Sequence, residues 1–388
     1  MAAPEYQNQQ DSMAVSVTRH APTPQVTEYT HLLSGIDSLD LGLYVVWGAD
    51  WKRRLSLLDK LKQQARHKNG LVIHLPTGRT CIFKPGGKGD NYRFHLQFAE
   101  YNLFLAKSAH PTNDTPNVYL SINSQALWNH GVAAAVTWAT DDLKAIANGT
   151  VHAAKPSRVD LAADFHIPGG LDHDFLLAHK VTRNETEKFY RGANKLETFY
   201  VGNAKSPIQL RIYNKGLEVQ KGGTKLWFLD HWKRDTPDDV WRVEFQIRRA
   251  ALKEFGIDSL HDLAERSAGL WQYLTSNWFS LRIPDNDKAE RRTIHPLWAT
   301  VQQAASGFGQ LMEIDRTATP TAAADPSWHI SHIDGCLSSY AALMGITSRD
   351  EALASLLSHL NHHKAPADFK ENCIKKAIQF GTLAGGDN

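Results

Sequence analysis

Three short segments place charged or polar side chains at every second residue of an otherwise apolar run, and this restricts the fold more than any other feature of the sequence. In RVDLAADF (158–165), Val159, Leu161, Ala163 and Phe165 fall on one side, and Arg158, Asp160, Ala162 and Asp164 on the other. In LRIYNK (210–215), Leu210 and Ile212 oppose Arg211, Tyr213 and Lys215. In WRVEFQIR (241–248), Val243, Phe245 and Ile247 oppose Arg242, Glu244, Gln246 and Arg248. A period of two belongs to strands with one face in a core. The chain therefore needs a sheet whose second face is polar.

More strands surround these three. Ile36–Trp47 alternates Leu39, Leu41, Leu43, Val45 and Trp47, and the runs 71–75, 81–84, 92–98 and 118–123 are short, β-rich and divided by turn signals such as KPGGKGDN. Helical spacing marks 51–68, a basic amphipathic segment, then about 125–148, and again most of the chain after 250. Strands in antiparallel-looking order with intervening helices predict an α+β fold: a largely antiparallel curved sheet with flanking helices and a helical C-terminal appendage. The expected divisions are a flexible polar tail over 1–30, a catalytic domain over 31–285, a helix and linker over 286–327, and a small helical domain over 328–388.

Composition excludes several classes. Of 388 residues, 42% are hydrophobic and 22% charged, which is ordinary for a globular protein. Three cysteines without CxxC spacing argue against a disulfide framework or a structural zinc site. The absence of a long apolar run or a leader-like N-terminus makes a cytoplasmic protein without membrane attachment the expectation. Forty-three Lys and Arg against 41 Asp and Glu neither announce nor exclude a polyanionic partner. Their distribution is more telling, because Arg183–Lys225 holds nine basic residues and four Glu.

If the three polar strands are neighbours, Asp160, Asp164 and Glu244 share one face. Oxygen donors of this kind select Mg²⁺ or Mn²⁺, and a cation relieves the repulsion among three carboxylates. Such an ion can polarise a phosphodiester while a tyrosine supplies the attacking oxygen. Arg158, Arg211, Lys215, Arg242 and Arg248 are candidates for holding DNA phosphates. Tyr213 lies between two of these cations, while Tyr190 and Tyr200 are rivals that alternation does not eliminate. His74 and His95 lie on the polar faces of earlier strands, and His95 is an accessory candidate. The opposing account is that strand carboxylates flanked by Arg are surface ion pairs of little worth.

The run KLETFYVGNAKSPIQLRIYNKGLE, with SRVDLAADF before it and VWRVEFQIRR after it, resembles the rolling-circle replication initiators of small staphylococcal multicopy plasmids, the Rep_trans family, to which phage initiators and integrative-element relaxases are related. The resemblance covers roughly residues 115–255. It implies that Tyr213, in the R-I-Y-[ND]-K motif, is the nucleophile and leaves Tyr200 a structural or substrate-positioning role. It also implies that Asp160, Asp164 and Glu244 are the metal ligands. No His-hydrophobe-His triplet occurs, so a metal would have to be held by carboxylates.

The function expected from this resemblance is nicking and rejoining of one origin DNA strand through a 5′-phosphotyrosine. The substrate would be single-stranded or an extruded hairpin, with Tyr119 or Trp128 stacking on bases. A host helicase and a second copy of the chain are further expected partners. A conjugative relaxase would use the same chemistry, whereas a DNA-binding regulator would keep the fold without it. A glycoside hydrolase using Asp160 and Glu244 suits the basic surroundings less well.

Overall fold

The computed structural model describes residues 29–108, 110–111, 115–223, 225–314, 316, 326–362, 369 and 373. Residues 1–28 of the expected tail, and 315 and 317–325 of the expected linker, lie outside the described residues. The fold class is as expected from the sequence: helices and an open, antiparallel sheet of eleven strands.

The chain begins with β1 (Thr30–Trp47), α1 (Trp51–Lys68), β2 (Leu71–His74), β3 (Thr80–Lys84), β4 (Tyr92–Gln97), β5 (Tyr101–Ala106), β6 (Val118–Ile122) and α2 (Ser124–Ala147). Then come β7 (Gly149–His166), α3 (His173–His179), β8 (Lys180–Thr182), β9 (Glu187–Gly192), β10 (Lys195–Val201), β11 (Ile208–Asn214), α4 (Lys215–Gly222), α5 (Phe228–Trp232) and β12 (Val240–Arg248). Helices α6 (Arg249–Glu254) and α7 (Leu260–Tyr273), strand β13 (Phe279–Leu281), and helices α8 (Pro296–Gln303), α9 (Pro326–Met344) and α10 (Arg349–His362) complete it.

The strand order is β2-β3-β4-β5-β6-β1-β7-β12-β11-β10-β9, with β8 and β13 forming a separate pair. Two strands of 18 residues, β1 and β7, form the spine. Their pairing shifts register at four places, and such bulges bend and twist a ladder. One face carries the alternating apolar residues, among them Leu39, Leu41, Val159, Leu161, Phe245 and Ile247, all fully enclosed. Helix α1 packs there on β2 and β3, α2 on β5 and β6, and α6 and α7 on β7.

The other face is polar and largely open. Helix α2 serves both faces because it breaks at Gly131, whose φ of +80° and ψ of 170° suit a residue without a Cβ. Its first turns carry Ser124 and Trp128 onto the polar face, and its later turns bury Ala135, Ala139 and Leu143 in the core. On the polar face, Val219, Phe228, Trp232 and Val240 form a second, smaller core with Trp128 packed against it.

Candidate active site

The register of the central strands brings the charged residues together. Glu244 on β12 lies opposite Ala162 on β7 and Arg211 on β11, and Arg242 lies opposite Asp164 and Tyr213. Asp160, Glu244, Arg211 and Tyr213 therefore share the polar face, as their alternation requires. They line a cavity of about 720 Å³ together with Asp37, Arg158, Tyr200, Glu218, Lys221 and Lys225.

The end of β11 explains how Tyr213 is held. Asn214 stops the strand and caps α4, accepting a hydrogen bond from the Leu217 amide at 2.8 Å. Lys215 is thereby folded back beneath the phenol, its Nζ 5.6 Å from the centre of the Tyr213 ring and 4.7 Å from that of Phe228. It is fully enclosed and donates to Glu218 at 2.8 Å. Burial first, then repulsion from Arg242, lowers its proton affinity.

The Tyr213 hydroxyl donates to Glu244 Oε2 at 3.0 Å. Burial first, then the negative charge of Glu244, pushes the phenol well above its ordinary pKa. Glu244 is raised as well, by burial before anything else, although Arg211 opposes the shift. Arg211 bridges two of the cavity carboxylates, donating to Asp160 at 3.0 Å and also to Glu244. Arg158 holds Asp160 from the other side, at 2.8 Å through its Nε. The Nε of Arg211 is buried and has no hydrogen-bond partner. An enclosed donor left unpaired costs about 1–3 kcal/mol.

Several expected roles change. Asp164 lies on the expected face, but both of its oxygens are engaged: Arg242 donates to them at 2.6 and 2.8 Å, and the Trp232 indole donates at 2.8 Å. Arg242 and Asp164 are fully enclosed. Arg242 is therefore not a phosphate ligand as placed, and the three carboxylates do not surround one point. Among the described residues no three His, Cys, Asp or Glu side chains are grouped to hold a metal. Lys215 is enclosed in the same way. Arg248 lies on the same face outside the cavity and donates to the Ala204 carbonyl at 2.7 Å. His95 is on β4, far across the sheet, where it pairs with Asn102 at 2.9 Å and stacks on Phe104. Trp128 is not free to stack on bases: its ring lies against Phe228 and Arg242.

Asp37 is the residue that sequence reasoning missed. It accepts from Ser124 and from the Trp128 indole, each at 2.8 Å, and from Arg242. Burial works to raise its pKa, but Arg242 and Lys215 outweigh it and hold the carboxyl well below the usual range. Alternation from Leu39 backwards puts Asp37 on the core side. The register shift between Ile36 and Ser38 re-aims it. Lys221 and Lys225, at the cavity mouth on and just after α4, were also unassigned, although the basic stretch that contains them was visible.

No protein-family model and no curated protein matches this chain. A solved structure of a rolling circle replication initiator protein from Geobacillus stearothermophilus aligns over 74% of this chain and 99% of that one, at 13% identity and a TM-score of 0.40. At that score the alignment does not establish a common fold.

Proposed function

We propose that this chain is a replication initiator of the rolling-circle kind, an enzyme that nicks one DNA strand with Tyr213 and rejoins it. The observation that carries the reading is the pairing of the Tyr213 hydroxyl with Glu244 beside Arg211 in the wall of one cavity. The residue pattern SRVDLAADF…LRIYNK…VWRVEFQIRR points to the same chemistry. In this reading the Tyr213 oxygen attacks phosphorus, the bond from phosphorus to the 3′-oxygen breaks, that oxygen takes a proton from water and leaves as a hydroxyl, and the chain becomes joined to the 5′-phosphate. The phosphodiester energy is conserved, so reversal reseals the strand.

The surrounding residues divide the work. Glu244 is placed to take the phenolic proton as the oxygen–phosphorus bond forms, because the two oxygens already share it. Arg211 would bind the phosphate while neutralising Asp160 and Glu244. Lys215 and Arg242, enclosed behind the ring, supply positive potential to the phenolate without touching DNA. Lys221 and Lys225, which donate to Glu197 and Glu218 at 2.6 Å each, would exchange those carboxylates for flanking phosphates.

A divalent cation is part of the proposal in narrowed form. The cavity lining carries five carboxylates (Asp37, Asp160, Glu197, Glu218, Glu244) and four basic groups (Arg158, Arg211, Lys221, Lys225), so an entering phosphate needs added positive charge. Of the three ligands expected, Asp160 and Glu244 remain as oxygen donors, and an ion would have to displace Arg211 from between them. If bound, Mg²⁺ or Mn²⁺ would polarise a non-bridging phosphate oxygen.

Incubation with supercoiled plasmid carrying the cognate origin, with Mn²⁺ and with EDTA, tests both parts. Open circles carrying covalently attached protein are expected with Mn²⁺. Failure to form any adduct would remove the nicking reading; undiminished nicking in EDTA would leave Arg211 as the cation at the phosphate. A conjugative relaxase would form the same adduct at a transfer origin rather than a replication origin.

A further inference from the structure

The half of the sheet formed by β2–β6 lies outside the cavity, yet the face opposite its core is organised, with Phe104 8% exposed and Tyr119 half-buried. Cross-strand pairing lays one row along it, with Lys84 opposite His95, His95 opposite Phe104, and Phe104 opposite Tyr119. The His95 and Phe104 rings stack at 4.3 Å, and Tyr119 meets Phe104 edge-on at 6.2 Å. Above them, from the turn between β3 and β4, Lys88 holds its Nζ 4.3 Å from the centre of the Tyr119 ring and 5.1 Å from that of Phe104.

Neither Lys84 nor Lys88 has a carboxylate partner among the described residues. Strands β2–β6 contain no Asp or Glu at all. Asp90, in the same turn as Lys88, is exposed and forms no ion pair with it among the described residues, and Asp40 of β1 is buried and accepts the Tyr119 hydroxyl at 2.7 Å. A row of rings beneath unpaired lysines is complementary to a strand of stacked bases and phosphates. The turn that carries Lys88 is glycine-rich, and the space around Gly86 and Gly89 is open.

The row is linked to the catalytic cavity through Asp40, which accepts the Tyr119 hydroxyl. Asp40 pairs across the sheet with Arg158, which lines that cavity. From β6 to β11 there are four strand steps. At about 4.8 Å each, they span roughly 19 Å, the reach of several nucleotides.

We propose that the Phe104–Tyr119 row is a stacking platform for single-stranded DNA leading to or from the Tyr213 cavity, with Lys84 and Lys88 on its phosphates. The proposal rests on the nicking reading for the origin of the strand. Lys88 covers the ring faces in the free protein. An unpaired base takes its place, and the ammonium turns to the backbone. Bases already paired in a duplex cannot present their faces in this way, so single strands are the occupant.

The test uses the full chain and fluorescence anisotropy with two single-stranded oligonucleotides, one just filling the cavity and one extended by several nucleotides at each end, the extensions containing 2-aminopurine. The wild type is expected to bind the extended strand roughly tenfold more tightly than the short one. Lys88→Ala should lose most of that margin and lower the salt slope by about 0.7. Tyr119→Leu should abolish 2-aminopurine quenching, while both variants bind the short strand as the wild type does. Lys88 lies on a surface turn, so its variant tests the proposal even if Tyr119→Leu fails to fold. Equal affinity of wild type and Lys88→Ala for the extended strand would overturn the platform, as would an equal gain from an extended duplex. Adduct formation on the short strand is scored separately. A margin without an adduct would remove the nicking reading and keep the platform, and an adduct without a margin would do the reverse.

Discussion

Tyr213 is poised but protonated, because burial and the neighbouring Glu244 both favour the neutral phenol. Tyr213→Phe should therefore abolish the covalent adduct while leaving DNA binding within about twofold, since it removes one oxygen and keeps the ring. Tyr200→Phe is the control: this ring lines the same cavity and lies opposite Arg211 on the next strand. Mass spectrometry of the trapped adduct locates the modified residue; a link to Tyr200 or Tyr190 would sink the assignment. Asp164 makes a different prediction, because its carboxylate compensates the enclosed Arg242 guanidinium. Removing one partner of such a pair costs about 3–5 kcal/mol. Asp164→Asn should thus show a lower urea midpoint but unchanged affinity for Mn²⁺, measured by titration under native conditions. Loss of metal affinity at unchanged stability would restore Asp164 as a ligand.

Among the elements, β1 and α4 do the positioning. The bulge in β1 delivers Asp37, and the Trp128 ring is seated over Gly35, where a Cβ would come within 2.7 Å of it. The Asn214 cap sets the start of α4 and with it the place of Lys215. Among the described residues, helices α9 and α10 contribute nothing to the lining of the cavity. They pack on one another, and their buried residues Leu337 and Ala352 belong to neither core of the sheet. A chain ending after Ile314, itself part of the main core, should fold and still cleave single-stranded oligonucleotides at a rate within about threefold of the full chain. If circular dichroism shows it folded and gel assays show no cleavage, the helices contribute to the site, and the division proposed at residues 286–327 is wrong.

For the whole molecule, the pH dependence of stability has a definite sign. His31, His95, His166 and His295 are all lowered from 6.5, in each case chiefly by burial. The unfolded chain therefore binds protons at these positions before the folded one does, and their contribution is present above pH 6.5 and lost as pH falls below it. Glu244, raised by burial, acts in the opposite direction, since the folded state holds its proton more tightly. Removing the opposing group exposes the histidine contribution, so the melting temperature by calorimetry should fall more steeply between pH 7 and pH 5.5 in Glu244→Gln than in the wild type. A flat profile would mean that the histidines hydrate without unfolding. Binding to DNA should weaken steeply with salt, because phosphate contacts release counterions. Affinity that is unchanged between 50 and 200 mM NaCl would exclude a backbone-dominated interface.

The part of this protein legible in its sequence is the part governed by local period. Alternation placed Arg158, Asp160, Arg211, Tyr213 and Glu244 on polar faces, and helical spacing gave α1 its observed limits. Period also has blind spots. The run Tyr101–Ala106 is nearly all buried and was not distinguished as a strand, and β9 is too exposed to show a pattern. Which polar faces adjoin, and which charge neutralises which, depends on residues far apart in the chain. Arg242 pairs with Asp37 and Asp164 across separations of 205 and 78 positions. That arrangement takes Asp164 away from the cavity, and a single extra residue in β1 brings Asp37 in. The physical reason is that alternation sets the side of a strand, whereas a buried charge must find its counterion wherever the assembled sheet places one.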